Sequence, residues 1–321
     1  MPRPRPTFVR SADIEKRQPL EAKTHALHAA AIAMFREFLT NQGVPTPLQL
    51  LLAAPVLLDR LVRSFGVHLY HSDVPLYVFV HAVTGIQHAE LSIRKQLPLT
   101  WELVAVWSEL EPGGHRVPTP VPVFRALFVI ACCWGWFRWA AVTAIAFLGI
   151  GRAGEPVTAL RRSLLLPADV LGTISGKAFL QITAPKSRRR GLGRVQHLSL
   201  SDAPVVAFLE RHLGPLAPHE CLYPFSKAAY RSRWNRILVT LGIPREAGMV
   251  PGGLRGGGCV AEYYRGTSIA ELQWRMRLKS TETLSCYLQE VAVLTSLIEL
   301  PGHVQERLNL VNKFFNSCLK W

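Results

Sequence analysis

Four prolines and two glycines fall within the twelve residues from Glu111 to Pro122. A proline removes a helical hydrogen bond and its ring clashes with the preceding turn, so this stretch reads as a linker, and whatever the chain builds is expected separately on either side of it. Upstream, residues 24–110 read as four helices. Leu27, Ala31, Met34, Phe35 and Leu39 recur at helical spacing over 26–39. A second run, Leu48 to Phe65, carries Leu51, Leu52, Val56, Leu57, Leu61 and Val62 on one broad face, with Pro55 kinking or splitting it. A third runs from Val74 or Pro75 towards Ile93, and a fourth from Thr100, an N-cap candidate, to Leu110. Residues 1–23 open as Met1-Pro2-Arg3-Pro4-Arg5-Pro6, lack the apolar segment of a secretory signal, and are expected to be a disordered basic arm.

Downstream, residues 123–321 begin with an almost continuously apolar run, Ala126 to Ile150, long enough to span a bilayer. Arg138 stands at its middle, where a charge costs about 2.5–3.5 kcal/mol to insert. Gly135 among Trp134, Trp136 and Trp139 points instead to a turn between two shorter buried helices. A membrane or scaffold role rests on this run alone and stays open, although no membrane partner is expected. A helix is expected from Pro156 to Leu164, then a strand pair, Ala178–Thr183 and Val195–Leu200, both alternating with period two and joined through Gly191 and Gly193. Further helices are expected at Pro204–Leu213, Lys227–Leu241, Arg255–Tyr264, Ile269–Trp274, about Thr281–Ile298 and Val304–Leu319. The fold class is therefore mainly α with a small β-hairpin or sheet (α+β).

Hydrophobic residues make up 49% and charged residues 18% of the 321, enough apolar material for packed cores. Lys and Arg total 37 against 22 Asp and Glu, and the excess is lopsided. Residues 1–122 hold 12 basic and 10 acidic side chains, whereas 123–321 hold 25 and 12. A basic half suits a polyanion, since each neutralised phosphate releases condensed counterions. The six cysteines show no metal-ligand spacing; Cys132 and Cys133 read as small core residues, and a reducing, intracellular setting fits them best, nuclear if the source is eukaryotic.

Within the basic half, four residue types appear in an order that phosphoryl chemistry can use. Arg152 lies in Ile150-Gly151-Arg152-Ala153-Gly154-Glu155, Lys186 in the basic turn Ala184-Pro185-Lys186-Ser187-Arg188-Arg189-Arg190, Arg255 in Gly252-Gly253-Leu254-Arg255-Gly256-Gly257-Gly258, and Tyr287 in Ser285-Cys286-Tyr287-Leu288-Gln289. Arginine is always charged and grips phosphate through parallel hydrogen bonds. A lysine desolvated beside other cations can protonate a leaving oxygen. Tyrosine is a suitable nucleophile, since its phosphoester is reversible. Each piece has a bland counterpart: Arg152 in a capping turn, Tyr287 as a half-buried core tyrosine on an amphipathic segment, Lys186 in a solvated basic turn, His197 as a structural strand residue. The glycine run lacks the lysine-serine ending of a P-loop.

Taken together, Val123 to Glu290 resembles the catalytic domain of the tyrosine recombinase/phage integrase superfamily, and residues 24–110 resemble its helical, SAM-like core-binding domain. The Leu254–Gly258, Trp274-Arg275-Met276-Arg277 and Tyr287-Leu288-Gln289-Glu290 segments are similar to a divergent eukaryotic branch related to mobile-element recombinases. The resemblance implies double-stranded DNA as partner, a homo-oligomer assembled on it, no cofactor and no metal. It implies strand cleavage and rejoining through a 3′-phosphotyrosine, as in DNA recombination and integration. Arg152, Lys186, Arg255 and Tyr287 match the family's catalytic positions, and Glu155 matches the acidic residue that buttresses them. Arg188, Arg189, Arg190, Arg231, Arg233 and Arg236 are expected to bind DNA. Two positions depart from the pattern: Gly252 stands where a histidine is expected, as a position that could require a left-handed backbone, and Leu278 stands for a second histidine or tryptophan. Two readings follow, an active recombinase and a catalytically inactive DNA-binding protein on the same fold.

Overall fold

The computed structural model describes residues 20–44, 48–113, 116–170, 176–182 and 196–321. Most of the expected basic arm, the hairpin connection with Lys186, Arg188, Arg189 and Arg190, and the strand ends Thr183 and Val195 lie outside the described residues. The fold is mainly α with one small antiparallel sheet among the described residues, and it divides into two compact units, Met1–Gly114 and His115–Trp321.

The first unit holds α1 (Ala22–Asn41), α2 (Leu48–Leu52), α3 (Pro55–His71), α4 (Leu76–Ala89) and α5 (Pro98–Leu110). Pro55 splits the expected second helix, as a residue without an N–H does. The α1 and α4 helices pack together, as do α3 and α5, around Phe35, Phe65, Phe79 and Trp107. The α5 helix starts at Pro98, two residues before the expected cap Thr100. Its cap comes from another helix: buried Asp59 of α3 accepts the N–H groups of Leu99 and Thr100 at 3.0 and 2.9 Å and the Thr100 hydroxyl at 2.7 Å.

In the second unit the long apolar run becomes α6 (Val121–Cys133) and α7 (Phe137–Leu148), turned at Gly135 with φ 70°. No helix among the described residues is long and apolar enough to cross a membrane. Arg138 is accounted for by Glu220, at 2.9 Å, and by the carbonyls of Leu222 and Cys221. Cys132 is buried but Cys133 is exposed, because the helix turns it away from the core.

The expected helix from Pro156 to Leu164 is only α8 (Gly154–Val157). Residues 159–161 leave it to pair with 220–222, where Leu222 N–H donates to Ala159 O and Arg161 N–H to Glu220 O. A two-residue strand that the alternation does not reveal, β1 (Leu164–Leu165), follows and pairs with β2 (Ala178–Ile182), which pairs with β3 (Gln196–Leu200) in the order β1-β2-β3. His197 on β3 packs its ring against Phe179 and Trp274. Then come α9 (Ala203–Leu213), α10 (Lys227–Leu241), α11 (Leu254–Tyr264), α12 (Ile269–Arg275) and α13 (Thr281–Ser285). The chain ends with α14 (Glu290–Ile298), α15 (Gly302–Asn312) and α16 (Phe315–Cys318). The expected Thr281–Ile298 helix is thus broken over residues 286–289, and Val304–Leu319 is broken before Phe315.

The glycines from 252 to 258 have a steric explanation. A Cβ at Gly253 would lie 2.3 Å from Val117 O, one at Gly257 1.9 Å from Thr119 O, and one at Gly258 2.0 Å from Phe147 O. Helix α11 is therefore seated backbone against backbone, on α7 at one side and on the segment 117–119 at the other. Thr119 N–H closes that second contact on Gly253 O at 3.0 Å. Gly257→Ala should cost about 1–3 kcal/mol or more, because the obstacle is backbone rather than a movable side chain. Gly302→Ala, where nothing lies within 4 Å, should be neutral or stabilise by up to about 1 kcal/mol. Urea unfolding of both variants checks the contrast, and equal midpoints would remove the steric account.

Candidate functional site: an arginine cluster around Glu155 and Tyr287

Helix α7 ends in a Schellman turn. Ile150 N–H donates to Phe147 O at 3.2 Å and Gly151 N–H to Ala146 O at 2.9 Å, with Ile150 in the left-handed region at φ 52°. Glycine is the usual residue there, and a β-branched side chain costs roughly 1–2 kcal/mol. Burial offsets the cost: Ile150 is fully enclosed with Cys259, Leu272, Met276 and Leu284. Gly151 is bare because Leu198 of β3 packs on it, 2.5 Å from where a Cβ would stand. Arg152 emerges from this turn. Its N–H donates to Glu155 Oε2 at 2.9 Å and its Nη1 to Glu155 Oε1 at 3.2 Å.

A second Schellman turn ends α12. Arg277 N–H donates to Trp274 O at 2.9 Å and Leu278 N–H to Gln273 O at 3.0 Å, with Arg277 left-handed at φ 58°. The turn sends Arg277 to the same carboxylate, Nη2 to Glu155 Oε2 at 2.7 Å, with both side chains nearly buried. Sequence reasoning missed this residue. Spacing directs attention to Leu278, which packs its side chain against the Ile150 cluster and brings no polar group. The one available signal was a second arginine beside Arg275 at the end of a short helix.

Arg255, on the first turn of α11, is 3% exposed. Its Nη2 donates to Met276 O, whereas Nε and Nη1 are buried and have no hydrogen-bond partner among the described residues. Its guanidinium lies over the Tyr287 ring, 5.3 Å from the centroid. Tyr287 is half-buried, in the break between α13 and α14 rather than on a helix. Three of the four expected catalytic residues, Arg152, Arg255 and Tyr287, therefore converge; Lys186 lies outside the described residues.

The electrostatics follow from three arginines around one carboxylate. Burial alone would raise the Glu155 carboxyl, but hydrogen bonding and charge from Arg277, then from Arg152, hold it below the usual carboxylate value. Burial, followed by the like charge of Arg152, brings Arg255 down to about 10, so it remains charged at neutral pH.

The other sequence-predicted residues divide. Gly252 has an ordinary backbone rather than a left-handed one; its missing side chain is accounted for by Arg116, whose Nη1 lies 2.5 Å from where a Cβ would stand. On α10, Arg231 lines a cavity with Arg116, Lys227 and Gly252. Arg233 instead stacks over Phe225 and Trp136 at 4.5 and 4.7 Å, and Arg236 over Trp134 at 5.2 Å, so the three do not form a single stripe.

No protein-family model matches the chain, and no curated protein sequence matches it. Among solved structures, a crystal structure of XerA recombinase is similar over 85% of this chain and 98% of its own, with 14% identity and a TM-score of 0.38. The XerH site-specific recombinase, bound to difH substrate in a pre-cleavage complex, is similar over 88% of this chain and 99% of its own, with 11% identity and a TM-score of 0.43.

Glu155→Ala should cost about 3–5 kcal/mol, because it leaves Arg277 buried and unpaired beside Arg255. The folded pKa of Glu155 is depressed, so its contribution is complete above its ordinary value of 4.5 and is lost as pH falls through the lower folded value. Urea unfolding from neutral pH downward should show the gap between wild type and variant closing below 4.5. A gap independent of pH would assign the loss to packing instead.

Proposed function

We propose that the chain binds duplex DNA and acts as a tyrosine recombinase, with Arg152 and Arg255 gripping one phosphodiester and Tyr287 attacking it. The observation that carries this reading is Arg255. A buried guanidinium with two nitrogens unpartnered among the described residues costs stability unless something satisfies it, and beyond the Met276 carbonyl on Nη2 it faces the Tyr287 ring and the like charge of Arg152. A phosphate supplies both the charge and the acceptors.

The steps follow from the chemistry of the groups. A phosphate reaches Arg255 when the Tyr287 ring moves aside, and the short irregular break at 286–289 lets the side chain move without unwinding a long helix. The Tyr287 hydroxyl gives up its proton to solvent as its oxygen forms a bond to phosphorus, the P–O5′ bond breaks, and the 5′-oxygen takes up a proton. Charge growing on the non-bridging oxygens is held by Arg152 and Arg255. Glu155 keeps Arg152 in place, and Arg277 keeps Glu155 ionised. Lys186 is the proposed acid, and Arg188, Arg189, Arg190 and Arg231 the proposed backbone contacts. Rejoining reverses the step with another 5′-hydroxyl, as DNA recombination or integration requires.

The second reading, DNA binding without cleavage, is favoured by Gly252 and Leu278, neither of which brings a donor to the phosphate. A nicked suicide substrate separates the two. Wild type should form a covalent protein–DNA adduct that Tyr287→Phe abolishes while leaving duplex affinity nearly unchanged. Duplex binding in wild type without an adduct gives the result to the second reading, and an adduct surviving in Tyr287→Phe rejects Tyr287 as nucleophile.

The same residue predicts a trade-off. Replacing buried charge with apolar side chains of similar volume is often neutral or stabilises by about 1–4 kcal/mol, and Arg255 has only the Met276 carbonyl as acceptor among the described residues. Arg255→Met should therefore unfold at higher urea than wild type while losing the adduct and part of the affinity. Marked destabilisation would mean that Arg255 serves the fold rather than a ligand.

A further inference from the structure

We infer that a second phosphate site lies beside the arginine cluster, in the cavity of about 440 Å³ bounded by Arg116, Lys227 and Arg231 over the bare backbones of Gly154 and Gly252. Its identification as the site of a DNA phosphodiester, adjacent along the strand to the one at Arg152 and Arg255, rests on the reading proposed above. The presence of a phosphate site does not.

Three observations converge on it. First, Arg116 is placed by construction. The segment 117–119 is clamped on α11 through Thr119 N–H to Gly253 O, and the guanidinium that precedes it lies directly on Gly252, where a Cβ would stand 2.5 Å from Nη1 and 2.9 Å from Cδ. Secondly, Lys227 and Arg231 are one helical turn apart on α10 and so face the same way. The Lys227 ammonium lies 4.0 Å from where a Cβ of Gly154 would stand, two residues along the chain from Arg152. Thirdly, the charge is one-sided. No carboxylate lines the cavity, and among the described residues none of the three cations makes an ion pair or hydrogen bond. Three like charges held together without a counter-charge form a site for an anion.

The glycines at 154 and 252 let an oxyanion approach backbone that side chains would otherwise cover. The volume exceeds that of one phosphate, which suits a phosphodiester with part of its flanking sugars. Arg116 consequently has a role that sequence spacing does not show. It occupies the place opened by the absence of a side chain at position 252, three residues before Arg255, and brings a permanently charged donor there.

The test uses the full chain and two variants. Arg116→Ala/Lys227→Ala removes two of the three donors. Gly252→Ala keeps every charge but drives the Arg116 guanidinium off its seat, and the backbone at 252 accepts alanine. With inorganic phosphate as probe, against chloride at equal ionic strength, wild type should gain thermal stability. The apparent phosphate affinity should fall about tenfold in Gly252→Ala, the scale of one lost hydrogen bond to a charged group, and further in the double variant, which loses two donors. With duplex DNA, the slope of log K against log salt should shrink by about 2 in the double variant and by about 1 in Gly252→Ala. The Gly252→Ala result is decisive because bulk charge is unchanged. Phosphate response and salt slope both equal to wild type in Gly252→Ala and in the double variant would overturn the site, whether or not DNA binds. A phosphate response lost in both variants, in a chain that binds no duplex, would uphold the site, assign it to a small phosphate compound, and reject the recombinase reading.

Discussion

On two sides of α11, main-chain atoms from three parts of the second unit meet without side chains between them. The carbonyls of Val117 and Thr119 press on Gly253 and Gly257, and that of Phe147 presses on Gly258. Everything proposed for the site depends on this close seat. It buries Arg255 on the first turn of α11 and sets α11 against the end of α7, from which Arg152 emerges. It also fixes the segment that carries Arg116 over Gly252. A methyl group at Gly257 or Gly258 would push these elements apart, so the glycine run is better understood as a packing surface than as a flexible loop.

The second constraint is a charge imbalance that the fold sustains. Arg152 and Arg277 share one buried carboxylate, and the neighbouring Arg255 has two nitrogens with no partner among the described residues. Two left-handed residues other than glycine, Ile150 and Arg277, end the helices that deliver this cluster. Each cost is local and each is offset nearby, the first by burial of Ile150 and the second by the ion pair of Arg277 with Glu155. Strain and unsatisfied charge gathered in one place, within a unit whose core is otherwise well packed, are features expected of a site shaped for a ligand.

Much of this was legible in the sequence, for reasons that also explain the rest. Helices with an apolar face were visible because burial imposes a period, and the turn at Gly135 because tryptophans around a glycine interrupt that period. The convergence of Arg152, Arg255 and Tyr287 could be expected from their order and context. Arg277 could not, because its direction is set by a left-handed backbone stabilised through Glu155, more than a hundred residues away. The end of α8 was hidden likewise, since residues 159–161 leave the helix to pair with 220–222. Gly252 was legible as a departure but not as a mechanism. What lies on its bare backbone is the Arg116 guanidinium, which no local pattern connects to it.

That connection changes what the two departures mean. If Gly252 and Leu278 were independent losses, the site would simply be poorer by two donors. Leu278 sits among Met276, Leu284 and Ile150, and a polar side chain there would face apolar neighbours. Yet the turn that buries it also sends Arg277 to Glu155, so the same backbone feature removes a donor at 278 and adds a cation at 277. Gly252 is not an independent loss either, because its missing side chain is what allows Arg116 to lie there. A histidine at 252 would have to displace that guanidinium. Beside each position lies an arginine, Arg116 at 252 and Arg277 at 278, whose charge persists over the whole working range of pH. An arginine holds a phosphate well but is a poor source of protons. In the function proposed above, such groups serve to grip a phosphate rather than to protonate a leaving group, which makes the proton supplied to the 5′-oxygen the step on which the proposed catalysis turns.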